Sequence, residues 1–238
     1  MNSISKLVII AIVLMGHSIG LAAETPCSSK DAVCREFARL ADAGQFEKLV
    51  ARVDSRKAYT SGAKAIIGQA YLMIAGKEGN TPEQEEQFCL KALEYGASSA
   101  YMGLYFIHAG QNEEKALGYL KQYVATGPRD SVPFAILGEA EMNKKNYAAA
   151  YTYLREAKKA ARGSSSNLDW MLFQASYLTG DYHTASAMLD SSFAQGKTVG
   201  DLKTLVSDPQ FSDMGKQPQF KKFFPIINGS TTARLYTR

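Results

Sequence analysis

The sequence predicts an all-α protein, an array of about five antiparallel helix pairs that a C-terminal helical cap closes. Three observations support this prediction. A pattern centred on a small residue recurs at a nearly constant spacing, each copy contains two helical stretches, and capping residues separate the stretches. The chain has 238 residues, which is long enough for one sizeable core or for an elongated array.

Residues 1–23 differ from the rest of the chain and predict a secretory signal peptide. Lys6 precedes an apolar run at 7–16, and small residues follow at 20–23. Because polar residues interrupt the run, it falls short of the roughly 18 to 20 apolar residues of a spanning helix, although a retained anchor is the alternative. We expect cleavage after Ala23, no stable membrane span after cleavage, and a periplasmic or secreted protein.

The charge distribution gives no reason to expect a nucleic-acid partner. Residues 24–238 carry 26 basic and 23 acidic side chains, a net charge of +3. The excess lies in 197–238, where seven Lys or Arg stand against three Asp, whereas 24–196 is close to neutral. Nucleic-acid binding requires a concentrated basic surface. We therefore expect that the protein binds no nucleic acid.

An internal repeat is the most informative feature of the sequence. Gly68, Gly103 and Gly138 occupy equivalent positions in similar segments and are 35 residues apart. A fourth copy follows 36 residues later, with Gln174 in the same position, and a degenerate earlier copy covers 31–57. One helix pair cannot bury its apolar face alone, so stacked copies supply the core. The repeats predict one helical domain over 24–196.

Capping residues locate the helices of the first two copies. Thr81, followed by proline, opens the second helix of the first copy, and Gln84 completes a capping box with it. In the second copy a helix near 98–109 stops at Gly110, and Asn112 opens its partner with two glutamates in the first turn.

The third and fourth copies show the same signals. In the third copy Ser131 precedes one helix, and Asn146 opens the next, which ends near Gly163. In the fourth copy Asn167 opens a helix, and a turn at 180–182 leads into the last helix of the array.

The small residues predict where two helices approach each other closely. These positions are Gly68, Ala92, Gly103, Ala116, Gly138 and Ala150. Larger apolar residues fill the spaces beside them. They are Tyr71, Phe106, Leu120, Leu154, Tyr177 and Leu189.

These segments resemble the tetratricopeptide repeat and its relative, the Sel1-like repeat. The segment KALEYGA at 91–97, followed by AYMGLY at 100–105, is especially similar to the Sel1-like form. The resemblance covers 60–196 well and 31–57 poorly. It implies a right-handed α-solenoid, and it is specific for architecture but weak for function.

In tetratricopeptide arrays the first helix of each pair lines a concave groove. Carried onto this chain, the resemblance implies a partner-binding groove of Gln69, Leu72, Met73, Leu104, Ile107, His108, Glu139, Met142 and Asn143. The set is apolar with amide groups and one acid, so it lacks a basic clamp for a peptide carboxylate. The alternative is that Leu72, Leu104 and Ile107 are simply core residues.

The segment 197–225 predicts helices outside the repeat period. Two similar units, DPQF at 208–211 and QPQF at 217–220, are each a turn followed by an aromatic residue. We expect this segment to cap the last helix of the array. The alternative is an aromatic docking patch. Both alternatives concern Phe211, Phe220, Phe223 and Phe224. Residues 226–238 are expected to form a flexible tail.

Three cysteines remain after residue 23, and export permits a disulfide. Any of three pairings is possible. We favour Cys27 with Cys34, because this pair would fasten a short loop onto the first turns of a helix. Cys89 lies in an apolar helical stretch and is expected to be a small buried residue.

The sequence contains no recognisable catalytic, cofactor or metal site. The segment SSFAQGKT at 191–198 ends like a phosphate-binding loop, but Ser191 replaces its first glycine and a helix precedes it. We therefore interpret Gly196 as a helix cap. His108 and His183 have no second ligand at helical spacing. We expect no cofactor, no bound metal and no enzymatic activity.

The resulting hypothesis is a non-catalytic adaptor or scaffold of the bacterial cell envelope, which binds a peptide segment or partner helix in its groove. One alternative is an enzyme or enzyme subunit whose active site the sequence does not mark. Another is a structural or accessory subunit of an envelope enzyme or of a secretion or pilus assembly, with contacts through the C-terminal aromatic segment.

Overall fold

The structure is a computed structural model, and it describes residues 27–163 and 165–227. Within these ranges the chain is all-helical and contains no β-strand. The predicted signal peptide and its predicted cleavage site lie outside the described residues, as does nearly all of the predicted tail. The chain forms two compact units, Met1–Pro128 and Arg129–Arg238. The division falls between the second and third copies of the repeat.

Unit 1 contains six described helices that pack as neighbours along the chain. They are α1 (Ala32–Asp42), α2 (Phe46–Val50), α3 (Ser61–Ala75), α4 (Pro82–Glu94), α5 (Ala100–His108) and α6 (Glu113–Ala125). Helix α3 pairs with α4 and α5 pairs with α6, while α4 also contacts α5. Helices α1 and α2 both pack on α3, as expected for the degenerate first copy.

The predicted caps of unit 1 are confirmed. The Thr81 hydroxyl accepts a hydrogen bond from the backbone N–H of Gln84, and the Gln84 side chain accepts one from the backbone N–H of Thr81. The Asn112 side chain accepts from the backbone N–H of Lys115 at 3.0 Å. Gly110 follows the end of α5 with a φ of +83°, a left-handed conformation that glycine adopts without strain.

Close helix contacts in unit 1 depend on the predicted small residues. A Cβ atom on Gly68 would lie 2.9 Å from the Ala97 Cβ and 3.2 Å from the Ala92 carbonyl oxygen. One on Gly103 would lie 2.9 Å from the Cys89 sulfur. The two distances of 2.9 Å are shorter than real Cβ atoms show, so glycine allows α4 to pack against α3 and α5.

Unit 2 begins with two helix pairs and ends with shorter elements. The helices are α7 (Val132–Asn143), α8 (Tyr147–Ala160), α9 (Ser166–Leu178), α10 (Tyr182–Ala194), α11 (Val199–Val206) and α12 (Phe224–Ile227). Short 3₁₀ helices lie between the last two at Pro209–Phe211, Met214–Lys216 and Pro218–Phe223. Helix α7 pairs with α8 and α9 with α10, while α8 also contacts α9.

Helix ends in unit 2 differ in detail from the prediction. Helix α9 begins at Ser166 and not after Asn167, and α8 ends at Ala160, before Gly163. Asn146 occupies the expected position before α8, but its amide donates to Glu141 at 2.9 Å and caps nothing. The amide nitrogen of Asn146 is directed to the buried Glu141 carboxylate, and in this orientation its oxygen makes no capping hydrogen bond.

The C-terminal segment supplies the core of unit 2 with aromatic side chains. Phe211, Phe220 and Phe223 are buried together with residues of α9 and α10. The Tyr177 ring lies 5.1 Å from that of Phe211 and 5.6 Å from that of Phe220, between ring centroids. Phe224 is partly buried against the same cluster. These rings cover α9 and α10, as expected for a cap, and are not displayed as a patch.

The disulfide that the sequence analysis favours is present. Cys27 and Cys34 form a disulfide with a Cα–Cα distance of 5.5 Å. Cys89 is free and buried, and its burial raises the pKa of the thiol to about 12.

Among the described residues, no helix has the length and apolar character needed to cross a membrane.

Candidate functional site

The predicted groove residues fall in both units, so each set is described separately. In unit 1 the members that are not fully buried are Gln69 and Met73 on α3 and His108 at the end of α5. We call these three residues the α3/α5 surface.

Three other members of the set are core residues. The exposed fractions of Leu72, Leu104 and Ile107 are 7%, 0% and 9%. They pack in one cluster with Cys89 and Ala92 of α4. The structure therefore favours the core alternative for these three side chains, because they offer little surface to a partner. Leu72 and Ile107 directly precede Met73 and His108 in the chain.

His108 belongs to a cluster of polar and aromatic side chains from three helices. Its Nε2 lies 3.0 Å from Glu86 Oε1 of α4, and Lys115 Nζ of α6 donates to the same oxygen at 2.8 Å. The imidazole stacks on Tyr119, with ring centroids 5.7 Å apart and planes 22° apart. The His108 side chain is 12% exposed and that of Glu86 is 23% exposed. The cluster thus joins α4, α5 and α6 at the edge of the α3/α5 surface.

The electrostatics of this cluster keep Glu86 ionised. The hydrogen bond from the Lys115 ammonium lowers the pKa of Glu86, burial partly opposes this effect, and the hydrogen bond from His108 lowers the pKa further. A carboxylate only accepts hydrogen bonds. Nε2 of His108 must therefore carry a proton to donate to Glu86.

Sequence reasoning found His108 but missed its partners. Glu86 lies near the start of α4, and nothing in the sequence around it points to His108. It stands 22 residues before His108 and 29 before Lys115. The signal that could have found it is the repeat itself, because the period places the start of α4 beside the start of α6 and the end of α5.

In unit 2 the predicted members lie on α7. Glu139 and Asn143 are exposed, whereas Met142 is partly buried and packs against the core formed by α8 and α9. Their neighbour Glu141 is buried and accepts the hydrogen bond from Asn146.

Unit 2 has a polar cluster of its own, which the sequence did not predict. Asp169 of α9 is 0% exposed. Its carboxylate accepts hydrogen bonds from Lys158 Nζ at 2.5 Å, Ser191 Oγ at 2.5 Å and Gln195 Nε2 at 2.7 Å. A buried carboxylate requires such partners. The cluster joins α8, α9 and the end of α10.

The same cluster explains the segment SSFAQGKT. Its first four residues are the last turn of α10, and Gly196 follows with a φ of +103°. Ser191 and Gln195 are committed to Asp169, and Lys197 Nζ lies 5.3 Å from the centre of the Trp170 ring. The segment is therefore a helix end, as predicted.

His183 lies in the first turn of α10 and is exposed. Its neighbour Asp181 caps this helix by accepting from the backbone N–H of Thr184 at 3.1 Å, and it also accepts from the Tyr151 hydroxyl at 2.6 Å. Across residues 27–163 and 165–227, no group of three or more His, Cys, Asp or Glu is arranged to hold a metal ion.

No family model matches the sequence, and no curated protein matches it. The resemblance to tetratricopeptide and Sel1-like repeats consequently rests on the residues of this chain alone.

Proposed function

We propose that this protein is a non-catalytic adaptor of the bacterial cell envelope, which binds a peptide segment or a partner helix at the α3/α5 surface. The observation that carries the proposal is that Gln69, Met73 and His108, which are not fully buried, stand on helices whose buried side chains form one core cluster with α4. A rigid support lowers the entropy cost of binding, because few groups must be ordered when the partner arrives.

The proposal includes a repeat array of the tetratricopeptide or Sel1-like kind, with the right-handed solenoid that such repeats form. Its support is the 35-residue spacing of Gly68, Gly103 and Gly138, together with the pairing of neighbouring helices. At all three glycines an added Cβ would lie closer than 3.0 Å to an atom outside its own helix. The need for a residue without a side chain thus recurs every 35 residues, as expected for structural repeats.

Export to the periplasm or beyond is also part of the proposal. Its support is the apolar run that follows Lys6, together with the disulfide between Cys27 and Cys34. Structural disulfides persist in oxidising compartments and are rare in the cytosol.

The chemistry of the α3/α5 surface suits a polypeptide ligand. An amide such as that of Gln69 both donates and accepts, which matches the paired N–H and C=O groups of a peptide backbone. The flexible thioether of Met73 packs against apolar side chains of varied shape. His108 adds a hydrogen-bonding ring that its contacts with Glu86 and Tyr119 hold in place.

The proposal is tested by site-specific crosslinking in cells. A photoreactive amino acid replaces Gln69 or Met73, and matched controls replace Gln87 on α4 and Gln122 on α6, both of which are exposed. We expect the first two positions to crosslink one and the same envelope protein, and the two controls to crosslink it far less. Mass spectrometry of the adducts identifies the partner and the segment bound.

Equal crosslinking from all four positions, or none from Gln69 and Met73, would contradict the proposal. A probe at Lys221, which is exposed in the C-terminal segment, provides a further comparison. A partner captured from that position alone would move the contact to the C-terminal segment, whose phenylalanine rings are already packed inside unit 2.

A further inference from the structure

The disulfide between Cys27 and Cys34 closes a short segment against the first turn of α1. We call residues 27–34 the disulfide loop. Cys34 is 0% exposed, and Cys27 is partly buried against the same core cluster. Arg35 of α1 donates a hydrogen bond to the carbonyl oxygen of Ser29 inside the loop. The loop therefore packs on unit 1 as an ordered part of it.

Asp31, inside the disulfide loop, connects the beginnings of two helices. One carboxylate oxygen accepts from the backbone N–H of Cys34 at 2.8 Å and so caps α1. The other oxygen accepts from the Thr60 hydroxyl at 2.6 Å, and Thr60 itself caps α3 by accepting from the backbone N–H of Ala63. The hydrogen bond from Thr60, followed by that from the Cys34 N–H, lowers the pKa of Asp31. The carboxylate is thus an anion at neutral pH, as both bonds require.

The helices next to the loop depend on docking for their order. Helices α1 and α2 have 11 and 5 residues. Isolated helices shorter than about 12 to 15 residues are marginal in water, so packing supplies most of their stability. Phe37, Leu40 and Leu49 supply it here, buried in one cluster with side chains of α3. Any weakening of this docking should open α1 and α2 before it opens α4, which packs between α3 and α5.

The disulfide acts on this docking indirectly. A disulfide stabilises mainly by restricting the unfolded chain. Both cysteines lie at the ends of the same loop, so the bond restricts residues 27–34 and does not fasten α1 to α3. The restriction reaches α3 through Asp31, because its carboxylate extends from the loop to Thr60.

We propose that the disulfide between Cys27 and Cys34 is a redox-controlled clasp. The intact bond holds Asp31 against Thr60 and keeps α1 and α2 docked on α3, and its reduction lets α1 and α2 open locally. A dithiol is the reductant. The bond between the two protein sulfurs breaks, the two sulfurs of the dithiol bond to each other, and its two protons pass to Cys27 and Cys34.

This inference goes beyond the proposed adaptor function and needs no bound partner. Because disulfides persist in oxidising compartments, the clasp would close where the exported protein is proposed to act. In a reducing compartment the first helix pair would stay loose.

The first test is hydrogen exchange, measured by mass spectrometry on the mature protein near neutral pH, before and after treatment with dithiothreitol. Thiol counting on denatured samples verifies the redox state. We expect the amides of α1 and α2 to exchange at least about tenfold faster after reduction, because the loop loses the restriction that the disulfide imposes. Exchange in α9 and α10 of unit 2 should stay the same.

A cysteine variant controls for effects of the reductant itself. Cys27→Ala removes the less buried of the two sulfurs and leaves Cys34 in the core. In this variant α1 and α2 should exchange as fast as in the reduced wild type, and dithiothreitol should change nothing.

Two cap variants test the route through Asp31. Asp31→Ala removes the cap of α1 together with the contact to Thr60. We expect rapid exchange in α1 and α2 even with the disulfide intact, and little further increase on reduction. Asn112→Ala is the matched control, because it removes the cap of α6. It should speed exchange in the first turn of α6 and keep the full response of α1 and α2 to dithiothreitol.

Three outcomes would overturn the inference. The first is equal exchange of α1 and α2 in the oxidised and the reduced protein. The second is an equal acceleration in every helix of unit 1, which indicates general destabilisation and no local clasp. The third is an undiminished response to reduction in Asp31→Ala. None of them bears on the adaptor function, which the crosslinking from Gln69 and Met73 tests separately.

Discussion

Single small residues decide how closely the helices of this protein approach each other. Gly68 faces the Ala92 carbonyl oxygen, a backbone atom that cannot rotate away. Gly118, in the middle of α6, has no atom within 4 Å of the position that a Cβ would take. The two glycines belong to one unit and to regular helices, so they separate the effect of packing from the effect of helix propensity.

We expect Gly68→Ala to lower the free energy of unfolding of unit 1 by about 1 to 3 kcal/mol, because the added methyl group forces α3 away from α4. Gly118→Ala should raise it by about 0.5 to 1 kcal/mol, because alanine loses less backbone entropy in a helix. Urea unfolding monitored by circular dichroism measures both. A Gly68→Ala protein as stable as wild type would show that this helix contact is not tight.

At the scale of elements, two buried or partly buried carboxylates connect helices that are distant in sequence. Asp169 joins α8, α9 and α10 through Lys158, Ser191 and Gln195. Asp181 caps α10 and binds Tyr151 of α8. Both connections fix how α10 sits on its neighbours within unit 2.

Asp169→Asn should lower the free energy of unfolding of unit 2 by about 2 to 3 kcal/mol, because a neutral amide at this fully buried position binds the Lys158 ammonium less strongly than the carboxylate does. The matched control is Glu156→Gln, which breaks the exposed ion pair with Lys159 on α8. Exposed pairs contribute little, so this change should cost less than about 0.5 kcal/mol. Similar losses in the two variants would contradict the assignment of Asp169 as a structural anchor.

Asp181 should make unit 2 sensitive to acid. The hydrogen bond from Tyr151 is the largest cause that lowers the pKa of Asp181; burial opposes it, and Thr184 and nearby His183 lower the pKa further. A carboxyl whose pKa is lower in the folded state stabilises that state above its unfolded pKa of about 4, and this contribution disappears as the pH falls through the folded pKa.

The melting temperature of the wild type should accordingly decline as the pH falls below about 4, and decline less in Asp181→Asn. Tyr151→Phe removes the hydrogen bond that contributes most to the lowered pKa of Asp181. The melting temperature of this variant should also decline less in acid than that of the wild type. Scanning calorimetry across this range provides the comparison. A pH profile unchanged by either substitution would show that Asp181 does not carry the acid sensitivity.

For the whole molecule, the sequence predicts what depends on neighbours along the chain. Helix pairs, the capping box at Thr81, the turn at Gly110 and the buried phenylalanines of the C-terminal segment all follow from local patterns. The Cys27–Cys34 pairing was favoured for a local reason as well, because it closes a short loop.

What the sequence does not predict depends on side chains that meet across helices. Glu86 and His108, or Asp169 and Lys158, carry no mark in the sequence, because their meeting depends on how the helices rotate against each other. The prediction of the groove residues is limited for the same reason. A repeat places a residue on a helix, but only packing decides whether it is buried, as for Leu104, or accessible, as for Met73.

The state of the cysteines has a practical consequence for biophysical work. A thiol reacts with maleimides and methanethiosulfonates as its thiolate, and Cys89 is both buried and held protonated by a pKa raised to about 12. The other two described cysteines are joined to each other. A cysteine introduced at an exposed position such as Gln122 should therefore react selectively, so fluorescent or spin probes can be attached to the native protein without first removing its own cysteines.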